Sequence, residues 1–128
     1  MAITIIKALL LEPEQHPKTT YLPLANAVFD AITGADNGDF KTASMKIDDQ
    51  IYAIYNQDAA LQDVAGNRRL KGQILAGNIL IVETDPAGHI QSMADDVLLK
   101  YKSKFWHPET YTSLEVCRSY FNSFYRSL

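Results

Sequence analysis

The chain has 128 residues, 47% of them hydrophobic, and a formal net charge of −3. That length supports one domain, 1–128, able to bury roughly two-thirds of its unfolded surface without covalent staples. A lone cysteine, Cys117, excludes an internal disulfide, and the scattered His16, His89 and His107 lack the spacing of a zinc site. The expectation is therefore a cytoplasmic protein with no cofactor and no structural metal, too acidic overall for nonspecific duplex binding.

Taken in chain order, Ala2 to Leu11 (AITIIKALLL) is apolar but interrupted by Lys7, with no basic region before it and no cleavage site after it. It is expected to form a buried strand, not a signal peptide or membrane span. The stretch EPEQHPKTT, with its two prolines, predicts an exposed connection. Pro23 suits the first position of a helix whose apolar face is Leu24, Ala25, Val28, Phe29 and Ile32, ended by Gly34. GADNGD then predicts a turn. Phe40 to Ile47 and Gln50 to Asn56 predict a hairpin around DDQ, and NQDAALQDVAGNRRLKGQ is a long polar stretch. Ile79 to Glu83 (ILIVE) demands cover on both faces and so predicts a central strand.

Ser92 and Asp95 predict a capping box for a helix that buries Val97, Leu98, Tyr101 and Phe105, stopped at Trp106-His107-Pro108. Thr112 and Glu115 predict another, opening a last helix whose core stripe is Leu114, Cys117, Phe121, Phe124 and Leu128. The fold class expected from these elements is α+β: a mixed sheet of about four or five strands with three helices packed mainly on one face.

The tightest basic cluster is GNRRLKG, residues 66–72. Asn67, Arg68, Arg69 and Lys71 could cradle a phosphate or carboxylate, arginine being suited to bidentate contacts. The same residues between two glycines also describe a solvated turn. Gly72 and Gly77 have P-loop spacing, but Asn78-Ile79 follows where Lys-Ser/Thr is required. Asp48-Asp49 and Asp95-Asp96 fit a turn and a helix's first turn better than acid–base or metal chemistry, and Cys117 sits where cysteine packs as a small hydrophobe.

Charge is uneven: residues 1–60 carry four lysines against eight carboxylates, about −4, while residues 100–128 carry five basic against two acidic residues, about +3. On the last helix Tyr120, Phe124 and Tyr125 spread over a wider arc than one sheet would cover, which marks them as interface candidates, for self-association above all. Arg118 and Arg126 between them would also permit stacking on single-stranded nucleic acid, although the overall charge argues against that partner.

LAGNILIVETD at 75–85, followed by MADDVLLKYKSKF at 93–105, resembles the family of unknown function DUF3846, whose members pair a similar strand with a similar helix. KALLLEPEQHPK at 7–18 is similar to that family's strand and proline-marked turn, and Asn67-Arg68 falls where members often carry an Asn-Arg pair. The resemblance covers roughly 3–105 and leaves 106–128 as an additional C-terminal helix. It implies a protein of phages, plasmids or conjugative elements of Gram-positive bacteria, and it brings no catalytic residues. The function expected is a non-enzymatic accessory protein of a phage or mobile element that binds and modulates a host or phage protein, with a possible homodimer through the last helix. The alternative is a module for a small anionic ligand or nucleotide using the 66–72 loop.

Overall fold

The computed structural model describes residues 3–35, 42–62 and 64–126, with side chains described through Asn122. Among the described residues, eight strands, three α-helices and a 3-10 turn follow in the order β1 (Ile5–Leu11), β2 (Lys18–Pro23), α1 (Asn26–Thr33), β3 (Thr42–Asp48), β4 (Ile51–Asn56), the turn at Ala59–Leu61, β5 (Gly66–Leu70), β6 (Gln73–Ala76), β7 (Ile79–Thr84), β8 (Ile90–Gln91), α2 (Asp95–Lys104) and α3 (Ser113–Arg126). The main sheet runs β2-β1-β7-β4-β3, with β8 also on β7, and β5 and β6 form a second, two-stranded sheet. Its ladders are antiparallel throughout. This is the α+β architecture expected.

β7 is the centre of the sheet. Ile81 pairs with Leu9 on one side and Ala53 on the other, and Ile79, Leu80 and Ile81 are fully buried. Because side chains alternate across a strand, β7 feeds two cores. Ile79 and Ile81 join Leu9, Leu11, Ile51 and Ala53 beneath α2, whose Tyr101 and Phe105 close that side. Leu80 and Val82 join Ile6, Ala8 and Ile54 beneath α1, capped by Phe29. The hairpin β5–β6 supplies Leu70 and Leu75 to the first core, while Ile74 and Ala76 face outward onto Val116 of α3. The molecule is therefore layered: α1, main sheet, then α2 beside the hairpin, with α3 outside the hairpin.

Several local readings change. The EPEQHPKTT connection is shorter than expected, because Lys18–Pro23 is strand β2, and Pro23 ends that strand instead of opening a helix. α1 starts only at Asn26, after Ala25. Gly34 does end it, at φ 80, with its N–H and that of Ala35 returning to the carbonyls of Ala31 and Asp30, the left-handed stop that glycine makes cheaply. Phe40 and most of the GADNGD turn lie outside the described residues. The long polar stretch is largely ordered as the 3-10 turn and the hairpin. Ser92 does not cap α2; its Oγ accepts the Lys7 N–H, tying the segment after β8 to β1.

The last helix is rotated relative to expectation. Its capping box forms as predicted: the Thr112 N–H donates to Glu115 Oε1 at 2.9 Å, and the Glu115 N–H donates to Thr112 Oγ1 at 3.1 Å. Yet Leu114 is 63% exposed and Phe121 48%, whereas Val116 is buried. The inward side runs through buried Val116 and the half-buried Cys117, Ser119 and Tyr120, with Ser119 Oγ accepting the Ile74 N–H at 2.8 Å; of the expected stripe, Cys117 alone is turned inward among the residues whose side chains are described. Close approach at Gly66 dictates this: a Cβ there would sit 2.8 Å from Val116 Cγ2 and 3.0 Å from Tyr111 Cβ. Phe124 and Leu128 lie outside the residues whose side chains are described.

Asp48 shows why the Asp48-Asp49 pair is structural. Its Oδ2 accepts the Tyr101 hydroxyl at 2.6 Å and its Oδ1 the Asp49 N–H at 2.9 Å. The Tyr101 bond first, then the Asp49 amide, hold this carboxyl below the ordinary carboxylate range. The tie joins the β3–β4 turn to the middle of α2.

Replacing Ile81 with aspartate places an unpaired carboxylate in the centre of both ladders, at a cost of several kcal/mol against a total stability of about 5–15 kcal/mol. Ile81→Asp is expected to lose its cooperative melting transition in calorimetry. A variant that melts cooperatively near the wild-type temperature would contradict a central β7.

Candidate functional site

The 66–72 segment is a strand and turn, and its four polar residues divide between the interior and the surface. Pairing of β5 with β6 slips between Gly66 and Arg68, so Asn67 is an extra residue, a β-bulge. A bulge breaks the strict in–out alternation and lets consecutive side chains turn the same way. Asn67 and Arg68 accordingly both point inward and are both 0% exposed. Arg69 and Lys71 remain on the surface.

Asn67 is saturated. Its Nδ2 donates to the carbonyls of Leu11 and Gly77, each at 2.8 Å, and its Oδ1 accepts from Arg68 Nη1 at 2.8 Å. Arg68 Nη2 donates to the carbonyls of Gln15 at 2.8 Å and Phe105 at 3.0 Å. Arg68 Nη1 also reaches the Asn67 carbonyl at 3.4 Å, and only Nε lacks a partner among the described residues. All these acceptors are neutral. Burial lowers the Arg68 pKa, and the Glu109 carboxylate acts against that shift, although a guanidinium keeps its proton in such surroundings.

Arg68 thus joins three separate pieces of chain: the hairpin, the turn after β1, and the C-terminus of α2. The last is a natural acceptor, since terminal helix carbonyls lack internal partners and favour positive charge. Beside it, the Nδ1–H of His16 donates to the Trp106 carbonyl at 2.6 Å, and the two rings stack at 4.3 Å between centroids.

The two outward cations contribute to a cleft of about 260 Å³ between the hairpin and α3. Arg69 and Lys71 line one wall, and Glu115, Arg118, Ser119 and Asn122 the other. Lys71 and Gly72 form the two-residue hairpin turn at φ 51 and φ 80. Both positions of such a turn need left-handed backbone, which asparagine or glycine adopts readily and lysine at a cost of roughly 1 kcal/mol. Arg69 lies 5.8 Å from the Tyr111 ring centroid, and its N–H donates to Glu109 Oε1 at 3.1 Å. The Glu115 carboxylate is held below its ordinary pKa, first by the Thr112 amide and hydroxyl and more weakly by Arg69.

Of the residues marked as interface candidates, Tyr120 is half-buried, its hydroxyl 3.5 Å from Asp58 Oδ1 beside the 3-10 turn. The side chains of Phe124 and Tyr125 lie outside the described set. Arg118 entered the sequence reading only as a stacking residue; its place in the cleft follows from the polar face it shares with Glu115 and Asn122 at three- and four-residue steps. Cys117 is half-buried with its Sγ 3.8 Å from the Ala60 carbonyl. Among the described residues no group of three or more His, Cys, Asp or Glu is placed to hold a metal, and no helix is long and apolar enough to cross a membrane.

Fold and site together define a small α+β domain in which a buried Asn-Arg pair locks a hairpin onto an antiparallel sheet. The family model for the domain of unknown function DUF3846 matches residues 6–106. The chain belongs to that family. The match takes in Gln15, Asn67, Arg68 and Phe105 and stops before α3. No curated protein and no solved structure matches the chain significantly.

Replacing Arg68 leaves the Gln15 and Phe105 carbonyls and Asn67 Oδ1 without their donor, each loss costing about 1–3 kcal/mol. Arg68→Met, which keeps the side-chain length, is expected to lower unfolding stability by about 3 kcal/mol or more in urea titration. A change within about 0.5 kcal/mol, as for an ordinary surface residue, would show that the clamp contributes little.

Proposed function

We propose that the protein is a non-enzymatic accessory factor of a phage or other mobile element, acting in the cytoplasm by binding and modulating a host or phage protein. The setting is the one that family resemblance implies. The observation that carries the binding reading is the outward stripe of α3, where Leu114 and Phe121 stand 63% and 48% exposed. Arg118 lies between them at four- and three-residue steps, so apolar and cationic groups share one helix face. Exposed large apolar side chains grouped with arginine resemble the composition of interface centres. The stripe also falls outside residues 6–106, the part of the chain that the family model matches.

The stripe is separable from folding. Leu114→Asp combined with Phe121→Asp is expected to leave the melting temperature within a few degrees, because neither side chain is buried. The test is quantitative capture from lysate of a phage-infected host, followed by binding measurements with the purified captured protein. Binding to the wild type that weakens at least tenfold in the double variant supports the reading. A partner bound equally by both contradicts it, and concentration-dependent dimerisation abolished by the variant would assign the stripe to a second copy of the chain.

A further inference from the structure

The cleft between the hairpin and α3 is chemically distinct from the apolar stripe. Its rim carries Arg69, Lys71 and Arg118 against a single carboxylate, Glu115. That carboxylate already accepts the Thr112 N–H, so it is held on the helix N-terminus. Among the described residues neither Lys71 nor Arg118 has a carboxylate partner within ion-pair distance. Three cations from two elements converge there with one carboxylate, which leaves a net positive charge in the concavity for a bound anion to offset.

A second observation points the same way. Lys71 occupies a left-handed position, φ 51, where asparagine or glycine is the unstrained choice. Strained backbone held at the edge of a cleft is a feature that binding sites retain for function. Lys71 thereby sets a cation at the hairpin tip, within the lining of the cleft.

We infer that this cleft binds a phosphoryl group, using Arg69 and Arg118 as planar donors and Lys71 as a mobile point charge, with Asn122 supplying a neutral amide donor. Arginine forks match the geometry of phosphate oxygens, and lysine adds charge without fixed direction. At about 260 Å³ the cleft lies below the roughly 300–1,000 Å³ of drug-sized sites, which fits phosphate, pyrophosphate or one phosphorylated side chain. Anion recognition expected of the 66–72 segment thereby moves from the buried Arg68 to its outward neighbours and to α3.

The test is calorimetric titration of the full chain at fixed ionic strength with inorganic phosphate, pyrophosphate and a short phosphoserine peptide, each against chloride. The expected result is saturable binding of at least one probe, weakened about tenfold or more by Arg118→Ala and by Lys71→Asn. Lys71→Asn suits the left-handed turn, so its loss of binding should accompany an unchanged or higher melting temperature, which separates recognition from folding. Saturation with phosphate or pyrophosphate assigns a free small anion; saturation with the peptide alone assigns a phosphoryl group carried by a partner. A neutral pair of stripe substitutions, Leu114→Asn with Phe121→Asn, adds no charge at the three- and four-residue steps from Arg118 and should leave the affinity unchanged, so this site and the helix stripe can fail independently. Absence of saturable binding by all three probes, or affinity indifferent to both cleft substitutions, overturns the inference.

Discussion

The rest of the structure depends on a cation placed where water cannot reach it. Removing a guanidinium from water costs several kcal/mol, and Arg68 meets that cost with carbonyl and amide oxygens alone, four contacts from its two terminal nitrogens. None of its partners is a carboxylate. The gain is architectural: Gln15, Asn67 and Phe105 are far apart in sequence, and a single planar fork fixes all three in register. Asn67 extends the lock to the ends of β1 and β6 through the Leu11 and Gly77 carbonyls.

Fixing the hairpin in this way creates a layer with two useful faces. Leu70 and Leu75 complete the core beneath α2, and Ile74 and Ala76 offer a second apolar surface on which α3 settles. Because that second surface is small, α3 buries only a narrow strip around Val116, and the Gly66 contact sets how near it approaches. The remaining perimeter of α3 then stays outside, giving the polar wall of the cleft on one flank and the Leu114–Phe121 stripe further round. Surface features of the last helix are thus consequences of the clamp at the hairpin's root.

Much of the fold was legible because its central elements are extreme. A short run rich in β-branched residues and preceded by Gly77, Ile79 to Val82, fits a doubly covered strand better than a helix, and the Thr112 and Glu115 spacing announces a helix start that the hydrogen bonds confirm. Strand β2 escaped notice because an edge strand pairs on one side only, so KTTYLP is free to be polar and to contain proline. The hairpin escaped because a bulge at Asn67 destroys the alternation by which strands are recognised. Arg68 carries the same signature as a surface ligand residue, a charge between glycines, and only tertiary contacts reveal its burial. The Asn-Arg pair was noticed for its family resemblance, and packing gives it a physical reason. On α3 the larger apolar residues suggest the wrong buried face, since the close approach of Val116 to Gly66 fixes the helix rotation and leaves Leu114 and Phe121 outside.

The account's central claim is that Arg68 is an ordered, solvent-excluded donor to two distant carbonyls. Nitrogen-detected NMR of the arginine side chains tests this directly, because immobilised guanidinium groups exchange protons slowly and resolve their terminal nitrogens. Arg68 is predicted to show protected Nη protons with through-bond couplings to the Gln15 and Phe105 carbonyl carbons, while Arg118 shows averaged, rapidly exchanging ones. Exchange at Arg68 as fast as at Arg118 would contradict the clamp and the architecture built upon it.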